Sequence, residues 1–492
     1  MILLLILSAV VAIEIPAVQT FLTGKVAEKL DETFKGQMRI GSIHVSPFNA
    51  LIIKDIYFLD EHPYTADAYG RGFPPSDTLF RFDEIYATFS LKGLLAFPKS
   101  GFQIKSARIV GGNLNLVTEP DGKYSSNIER ILQSPHVEPA PPPEGPDIFF
   151  IKDVQIENFR FTMKNFNKPL YPYPGVGINF EDMDVSCNLK VRDLKFSNMI
   201  MSGKVVEGEV WEKGGCHLDQ LKGKATVGRG SVLVEDLIIK DKWSDINLAR
   251  YTMDFYTAAD FADYVNKVVM GGVFRKSIFD WRTLVSIVGV LPHNPIIFDI
   301  RSGSMRGPVA DMIVTDFDFT DLNSGVGGLA NCRLTGLPDI YNTVFDIDLK
   351  SFDCDTRALS KFISGWTEGV PVDISSIARD VHMNVRATGH GTLNGLSLQT
   401  DIVTPAGDLY GDILLEDLLY PSKPKGIGGY FSTASIDLGR MLGIKALGES
   451  AFRTSAKIIA GAPGDLTIRV DSLAADRLTA LGYAYDNMDV TE

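Results

Sequence analysis

The stretch Ile53-Lys-Asp-Ile56-Tyr-Phe58-Leu-Asp60 carries an eight-residue pattern that recurs along the chain. An apolar residue is followed by a charged one, a small or acidic one, two apolar residues at alternate positions, and a residue that favours turns. Copies lie at Ile104–Gly111, Ile151–Asn158 and Val234–Asp241, and a weaker one begins at Leu415. Each copy predicts a short strand with one apolar face that ends where Asp, Gly or Asn lets the backbone bend. Repeated strands at uneven spacing indicate a loose β-repeat and an extended architecture.

The composition is that of a folded chain with many turns. At 492 residues the chain is long enough for about three or four ordinary domains, unless one elongated sheet replaces them. The content of 45% apolar and 10% aromatic residues excludes a disordered chain, and 45 Gly and 25 Pro fit many turns and bulges. The net charge of −13 is spread along the chain without a Lys/Arg-rich run, which argues against a nucleic-acid partner.

The chain begins with an uncharged apolar segment, Met1–Ile13. A helix of this length reaches about 20 Å, less than the roughly 30 Å of a bilayer core, and the basic start of a signal peptide is missing. The segment is therefore either part of a longer anchor or a signal sequence, and the small residues Val10-Val-Ala12 are compatible with cleavage. An uncleaved anchor is favoured, because an amphipathic helix pattern over about residues 17 to 35 follows Pro16 directly. Both alternatives place the body outside the cytoplasm.

The strand, helix and linker patterns predict six segments. Ser134–Asp147 holds six prolines in 14 residues, which indicates an extended linker. Helices are expected over Asp260–Met270, Trp281–Val290 and near Thr356–Ile363. The chain stops within an alternating stretch, so we expect the last segment to be truncated. The predicted segments are a membrane anchor (1–18), an N-terminal β module with a leading amphipathic helix (19–133), the linker (134–147), a second β module (148–260), a helical insertion (261–291) and a further β segment (292–492).

The sequence carries no recognisable catalytic signature. It has no nucleophile elbow, metalloprotease helix, phosphate-binding loop or dinucleotide fingerprint, and its seven histidines are scattered. The acidic group Asp311, Asp316, Asp318 and Asp321 suggests either a Ca²⁺ site or a solvated strand face; alternation in Asp316-Phe-Asp318-Phe favours the solvated face. We therefore expect no enzymatic activity, metal or cofactor.

The four cysteines lie far apart without a C-x-x-C spacing. They are Cys187, Cys216, Cys332 and Cys354. The interpretation as small, buried apolar residues is favoured over a disulfide or metal role.

Strands with apolar side chains on one face need a helix, a second sheet, a membrane or a ligand to cover that face. Ordinary sandwich packing is one explanation. The other is a curved sheet whose apolar face forms a long groove for acyl chains. In that case Phe82–Leu91, the clearest alternation in the chain, is a groove strand. The residues predicted to face the groove are Ile85, Ala87, Phe89, Leu91, Leu114, Leu116, Val154, Ile156, Phe159 and Phe161.

Several phrases, taken in order, resemble a known family. They are Ile15–Leu30, Ile40–Val45 with Asn49–Asp55, Ser90–Leu95, and Asn113–Leu116 with Asp121-Gly122. In this order they resemble the N-terminal part of TamB-like proteins, the large subunit of the translocation and assembly module within the AsmA-like superfamily. Trp243–Ile246, Gly336–Asp339 and Ile436–Gly439 resemble the Bacteroidetes branch of that family. No single phrase is diagnostic.

The resemblance implies a mainly β fold with an N-terminal membrane helix, an elongated, curved, repetitive β-sheet groove and a few short helices. It also implies an inner-membrane anchor, a periplasmic body, an outer-membrane barrel partner of the Omp85 type, and roles in barrel assembly and phospholipid movement. Against the family pattern, the chain lacks a basic cytoplasmic start and the characteristic C-terminal domain. The competing hypotheses are a structural or adhesive cell-surface β-protein with closed sandwiches and, more weakly, an envelope hydrolase with a cryptic site.

Overall fold

The computed structural model describes most of the chain after residue 36. The described residues are 37–46, 50–61, 76–89, 102–118, 127, 149–167, 177–179, 181–197, 200–228, 230–256, 260, 263–289, 295–366, 373–376, 381–418, 420, 423–460 and 466–491. They fall into two compact units: unit 1 is Met1–Lys242, Phe255–Ala262 and Ser286–Gly289, and unit 2 is Trp243–Asp254, Asp263–Val285 and Val290–Glu492. Both are mainly β, which confirms the predicted fold class at that level.

Unit 1 contains ten described strands. In chain order they are β1 (Gln37–Ser46), β2 (Ala50–Glu61), β3 (Ser76–Phe89), β4 (Phe102–Thr118), β5 (Phe149–Asn165), β6 (Asp182–Ser197), β7 (Ile200–Glu212), β8 (His217–Leu218), β9 (Gln220–Val227) and β10 (Ser231–Lys240). Consecutive strands from β1 to β7 pair side by side, β8 and β9 both pair with β7, and β10 pairs with β9. All of these pairs are antiparallel except β4–β5, which is parallel and requires a long crossover connection.

Unit 2 contains fourteen described strands. They are β11 (Asp245–Asp254), β12 (Val269–Phe274), β13 (Ser277–Asp280), β14 (Ile297–Gly307), β15 (Asp311–Asp321), β16 (Gly327–Thr335), β17 (Val344–Asp355), β18 (His382–Thr392), β19 (Gly395–Thr404), β20 (Gly407–Glu416), β21 (Lys425–Asp437), β22 (Leu447–Ala460), β23 (Leu466–Ala480) and β24 (Tyr483–Thr491). Short β12 and β13 both pair with β11 and β14, and from β14 onward each strand pairs antiparallel with the next.

The described helices are short. They are α1 (Tyr264–Lys267), α2 (Trp281–Ile287), α3 (Thr356–Gly365) and α4 (Leu438–Leu442). The Asp355 carboxylate accepts a hydrogen bond from the Ala358 amide at 2.7 Å and so caps α3. α3 packs its apolar side onto a cluster that contains Phe319, Phe352 and Met383. It therefore covers one part of the apolar face of unit 2.

Five neighbouring strands of unit 1 share one row of irregular backbone. Asp55 on β2, Gly111 on β4 and Asn158 on β5 are left-handed, with φ of 53°, 61° and 53°. The register places Asp55 between Gly41 of β1 and Asp83 of β3. It also places Asp83 beside Gly111, and Gly111 beside Asn158. We call this set, Gly41, Asp55, Asp83, Gly111 and Asn158, the bulge row.

The bulge row changes the phase of the apolar alternation in each strand. In the β5–β6 pair, Ile156 and Phe159 are the flanking paired residues, and Glu157 and Asn158 together oppose the single residue Asn188. In such a bulge the two residues that oppose a single partner point to the same side of the sheet. Ile156 and Phe159 therefore lie on the opposite side together, although three positions separate them.

The phase change ends at β6. Its alternation through Val185, Cys187, Leu189 and Val191 is unbroken, and the register shift between Ile156 and Phe159 on β5 marks the place where the bulge row stops. Without the extra residues, the apolar residues on the two sides of the row would point to opposite faces of β1 to β5.

A second, shorter row uses the first half of the recurring pattern. Ser106 pairs with Asp153, and Asp153 pairs with Arg192. Asp193 is left-handed, with φ of 52°. Register shifts bound this row on both sides, between β3 and β4 and between β6 and β7. The pattern of two polar residues between apolar ones is therefore the signature of a bulge.

Unit 2 contains the same kind of bulge. Asp316 of β15 is left-handed, with φ of 48°, and Thr315 and Asp316 together oppose Asn331 of β16. The Asp316 amide donates to the Asn331 side chain at 2.8 Å, as the Asn158 amide donates to the Asn188 side chain at 2.8 Å. In both cases an asparagine on the next strand accepts the hydrogen bond that the bulge removes from the ladder.

Two details of the sequence prediction are corrected. The recurring pattern does not end the strand at Gly111 or Asn158, because the bulge carries β4 to Thr118 and β5 to Asn165. The helix expected over Asp260–Met270 is only α1, and Val269–Phe274 is strand β12. The adjacent Val268-Val269 and the following Gly271-Gly272 explain the early end, because β-branched residues and glycine disfavour a helix.

The strands on the two sides of the predicted linker pair directly with each other. β4 and β5 form a parallel ladder from Phe102 and Phe149 onward, so the sheet continues across the linker. The expected helices near Trp281–Val290 and Thr356–Ile363 are confirmed as α2 and α3. The expected anchor (1–18), the leading amphipathic helix and the linker (134–147) lie outside the described residues.

The bulge row predicts a clear ranking of substitutions at Asn158. Asn158→Val places a β-branched side chain in a left-handed conformation and should lower the free energy of unfolding by about 1–2 kcal/mol. Asn158→Gly keeps the conformation accessible and should be close to neutral. Urea unfolding followed by circular dichroism measures both; equal stability of the two variants would contradict a left-handed residue at this position.

Candidate functional site

The structure brings the predicted groove residues of three strands together. Ile85, Ala87 and Phe89 lie on β3, Leu114 and Leu116 on β4, and Val154, Ile156, Phe159 and Phe161 on β5. Leu91 lies outside the described residues. Because β3, β4 and β5 are neighbours, these residues belong to one continuous patch of sheet.

The register arranges the patch in rows that run across the strands. Ile85 pairs with Ile109, which pairs with Ile156. On the other side of the bulge row, Leu114 pairs with Phe161. Val154 and Ala87 are each 7% exposed, and the other groove residues that the structure describes are half-buried.

Three phenylalanines that were not among the predicted residues extend the patch. Phe58 stacks on Phe80 at 5.6 Å between ring centroids, and Phe82 stacks on Phe159 at 6.3 Å. The ring of Phe159 lies over Gly112, where a Cβ atom would come within 2.9 Å of it. The missed signal was the phase change at Asp83, which moves Phe80 and Phe82 onto the face of Ile85.

We call the side of β1 to β6 that carries these apolar residues the apolar face. Among the described helices and strands of unit 1, none but the neighbouring strands packs against it, and Phe58, Ile43 and Ile56 of this face are nevertheless only 1%, 6% and 8% exposed. In unit 2 the situation differs, because α3 covers the end of the corresponding face around Phe319 and Phe352. Rows such as Val314, Cys332 and Ile347 continue beyond α3 and are half-buried.

The opposite, polar face is held by ion pairs between neighbouring strands. Arg108 binds Glu157 through two nitrogens, at 3.1 and 2.6 Å, and Arg160 binds Asp184 in the same way, at 2.8 and 2.5 Å. Lys54 pairs with Glu84 at 3.0 Å. Bidentate guanidinium contacts restrain the register of the strands in addition to pairing the carboxylate charge.

The acidic group of β15 lies in unit 2, where three of its carboxylates form ion pairs with other strands. Asp311 pairs with Arg333 at 2.6 Å, Asp316 with Lys350 at 2.8 Å, and Asp318 with Arg301. The remaining carboxylate, Asp321, is buried and accepts hydrogen bonds from the Ser324 amide and hydroxyl. Each carboxylate is thus engaged by protein donors.

The four cysteines are free thiols in the structure. Cys354 is buried in the cluster beneath α3, and the other three are half-buried. Burial raises the pKa of Cys332 to about 11 and that of Cys354 to about 12, and it also raises the pKa of Cys187 and Cys216. Protonated thiols in apolar surroundings fit the interpretation as small apolar residues.

Two kinds of feature are absent from the described residues. No group of three or more His, Cys, Asp or Glu in that part of the chain is arranged to hold a metal ion. Also within it, every helix is too short or too polar to cross a bilayer.

Comparisons of the chain with protein-family models, with curated proteins and with solved structures gave no match.

The Arg160–Asp184 pair predicts a loss of stability in acid. The hydrogen bonds from Arg160 hold the pKa of Asp184 below its ordinary value of 3.8. A lowered folded-state pKa stabilises the fold above the ordinary value, and this contribution disappears as the pH falls through the folded-state pKa. Arg160→Met should therefore lower stability more at pH 6 than at pH 2.

Urea midpoints at the two pH values measure this difference. Arg386→Met is a matched control, because Arg386 makes no ion pair within the described residues. An Arg160→Met penalty of equal size at pH 2 and pH 6 would show that packing of the arginine stem, and not its charge, is responsible.

Proposed function

We propose that this chain is an inner-membrane-anchored protein of the bacterial envelope, with its body in the periplasm, that conducts phospholipid between membranes. The acyl chains travel along the apolar face, and the headgroups stay in water. The protein acts without catalysis or a cofactor. Its partners are the inner membrane, phospholipid and an outer-membrane barrel protein of the Omp85 type, whose assembly it assists.

One observation carries the proposal. The apolar face of unit 1 extends over six paired strands, and most of its side chains on β3 to β5 are half-buried rather than buried. Apolar surface of this extent costs roughly 25 cal/mol per Å² when water covers it. A ligand with acyl chains removes that cost without a second protein layer.

The bulge row supports the same conclusion. It keeps apolar residues on one face along strands of 14 to 17 residues, β3 to β5, where simple alternation would have divided them between two faces. Such strands are longer than the mode of about five or six residues for globular proteins. A broad, continuous apolar surface suits a lipid with two chains.

The family resemblance supplies the anchor and the partners. The ordered phrases from Ile15 to Gly122 resemble TamB-like proteins, and the uncharged start Met1–Ile13 fits a membrane anchor. The topology and the Omp85-type partner rest on this resemblance alone.

A structural or adhesive role is the second candidate. The packing of α3 on Phe319 and Phe352 favours it, because here the chain covers its own apolar face. A protein that buries all of its apolar faces in this way has no exposed apolar surface along which lipid could move. The two candidates therefore differ in whether lipid touches the apolar face of unit 1.

Photocrosslinking separates the two candidates. With p-benzoylphenylalanine in place of Phe161, illumination of the anchored chain in a bacterial envelope should give a phospholipid adduct that mass spectrometry identifies. Lys164, an exposed residue of the same strand, is the matched control position and should give none. Equal adducts at both positions, or none at Phe161 in a folded protein, would contradict lipid contact through this face.

A matched pair of charge substitutions tests the same contact in function. Phe161→Asp places a carboxylate in an acyl environment at a cost of several kcal/mol and should abolish lipid adducts elsewhere on the face. Lys164→Asp adds the same charge to the polar side and should leave them unchanged.

A further inference from the structure

Four of the 13 methionines lie together on one side of unit 2, and we call them the methionine cluster: Met253, Met270, Met305 and Met312. Met253 of β11 pairs directly with Met270 of β12. Gly272, two residues after Met270, pairs with Met305 of β14. Met305 in turn pairs with Val314 of β15, which lies two residues after Met312. Residues that pair directly, and residues two apart in one strand, point to the same side of a sheet, so the four methionines share one face.

Two of these thioethers converge on one hydroxyl. The hydroxyl of Tyr264 on α1 donates to Met270 Sδ at 3.0 Å, and Met253 Sδ lies 3.6 Å from the same oxygen. Sulfur atoms of two neighbouring strands therefore direct lone pairs at a single position. Leucine would fill a similar volume but would offer the hydroxyl no acceptor. The pair Met253 and Met270 thus supplies more than apolar packing.

Glycine residues leave room beside the two sulfur atoms. Gly272 and Gly307 share the face of Met270, one on its own strand and one directly opposite it on β14. Neither carries a side chain that would fill the space over the backbone. Met305 leans over Gly272, where a Cβ atom would lie 3.0 Å from the Met305 methyl carbon. Met305 therefore extends toward β12 and brings a third thioether to the side of Met270.

The cluster is shielded from water but remains accessible. Met312 is 8% exposed, and the other three methionines are half-buried. Tyr251, which pairs with Gly272, lies beside the Tyr264 hydroxyl, and burial raises the pKa of Tyr251. The thioethers consequently face surroundings of low polarity in which a bound ion would keep few water ligands.

The donor atoms select the chemical class of the ligand. Thioether sulfur is a soft ligand that favours Cu(I), whereas Mg²⁺ and Ca²⁺ favour carboxylate, carbonyl and water oxygen. The expectation of no metal rested on histidine, cysteine and carboxylate patterns, and methionine belongs to none of them. We propose that the methionine cluster binds one Cu(I) ion through the sulfur atoms of Met253 and Met270, with Met305 as the third ligand. The ion takes the position to which the Tyr264 hydroxyl donates and displaces that hydrogen bond.

Calorimetric titration with Ag⁺, an air-stable probe for a Cu(I) site, tests the proposal. The sample is the full chain with its four cysteines replaced by alanine, because thiols compete for the ion. We expect one Ag⁺ to bind. The double variant Met253→Leu and Met270→Leu should lose this ion and remain folded, since leucine nearly conserves the volume of methionine.

The matched control is a second methionine pair outside the cluster. Met163 of β5 and Met183 of β6 also pair directly and are also half-buried. The double variant Met163→Leu and Met183→Leu should keep the bound Ag⁺ with an unchanged Kd. Circular dichroism establishes that both double variants are folded.

Two further readouts separate an ion site from packing. Tyr264→Phe removes the hydroxyl that competes with the ion, so the Kd for Ag⁺ should fall about fivefold, which corresponds to about 1 kcal/mol. Thioethers carry no proton to lose, so the Kd should be the same at pH 5.5 and pH 7.5. A site built from histidine would instead weaken in acid, because its ligands must be deprotonated.

Several results would overturn the proposal. They are no Ag⁺ binding by the folded chain, equal loss of Ag⁺ in the two double variants, a Kd that Tyr264→Phe leaves unchanged or raises, and binding that weakens at pH 5.5. If the cysteine-free chain does not fold, the native chain still decides: the Met253 and Met270 variant should bind one Ag⁺ fewer than the control, and equal binding would refute the site. The cluster lies in unit 2, so none of these results depends on lipid binding at the apolar face.

Discussion

The structure depends on keeping the apolar side chains of long, one-faced strands on a single side. A strand alternates its side chains with a period of two, so one extra residue moves everything after it to the other face. In β1 to β5 the apolar pattern itself changes phase, and the bulge row from Gly41 to Asn158 compensates for that change. Because the compensation occurs at the same register in five strands, the ladder between them stays regular.

The chemistry of the row explains its composition. Left-handed backbone is costly for most residues, and Asp, Asn and Gly adopt it most readily. At Gly111 a Cβ atom would lie 2.1 Å from the Asp83 carboxylate, so any other residue would have to displace that side chain. The amides freed at Asn158 and Asp316 are bound by asparagines of the neighbouring strands, which limits the cost of each bulge.

Much of this arrangement could be predicted from local sequence, but its alignment could not. The phase change from Ile156 to Phe159 is visible in one strand, and so is the polar placement of Asp316 and Asp318. The sequence does not show that Asp83 belongs to the same row, because pairing between strands that are distant in sequence defines the row. The parallel β4–β5 pair was missed for the same reason, since a proline-rich connection has no local signal for the strands that it joins.

The helices show the limit of periodicity. The pattern over Asp260–Met270 predicted a helix, but the pairing of β12 with β11 and β14 makes Val269–Phe274 a strand. α3 was predictable, because Asp355 is a capping residue and the apolar spacing after it has no competing alternation.

Spin-label accessibility along β5 tests the central claim most directly. With the four native cysteines replaced by alanine, single labels at each position from 154 to 163 report their exposure to oxygen and to a water-soluble nickel complex. The account predicts apolar-face behaviour at Val154, Ile156, Phe159, Phe161 and Met163, with the phase changing at Asn158. Unbroken alternation through 154, 156, 158, 160 and 162 would contradict it.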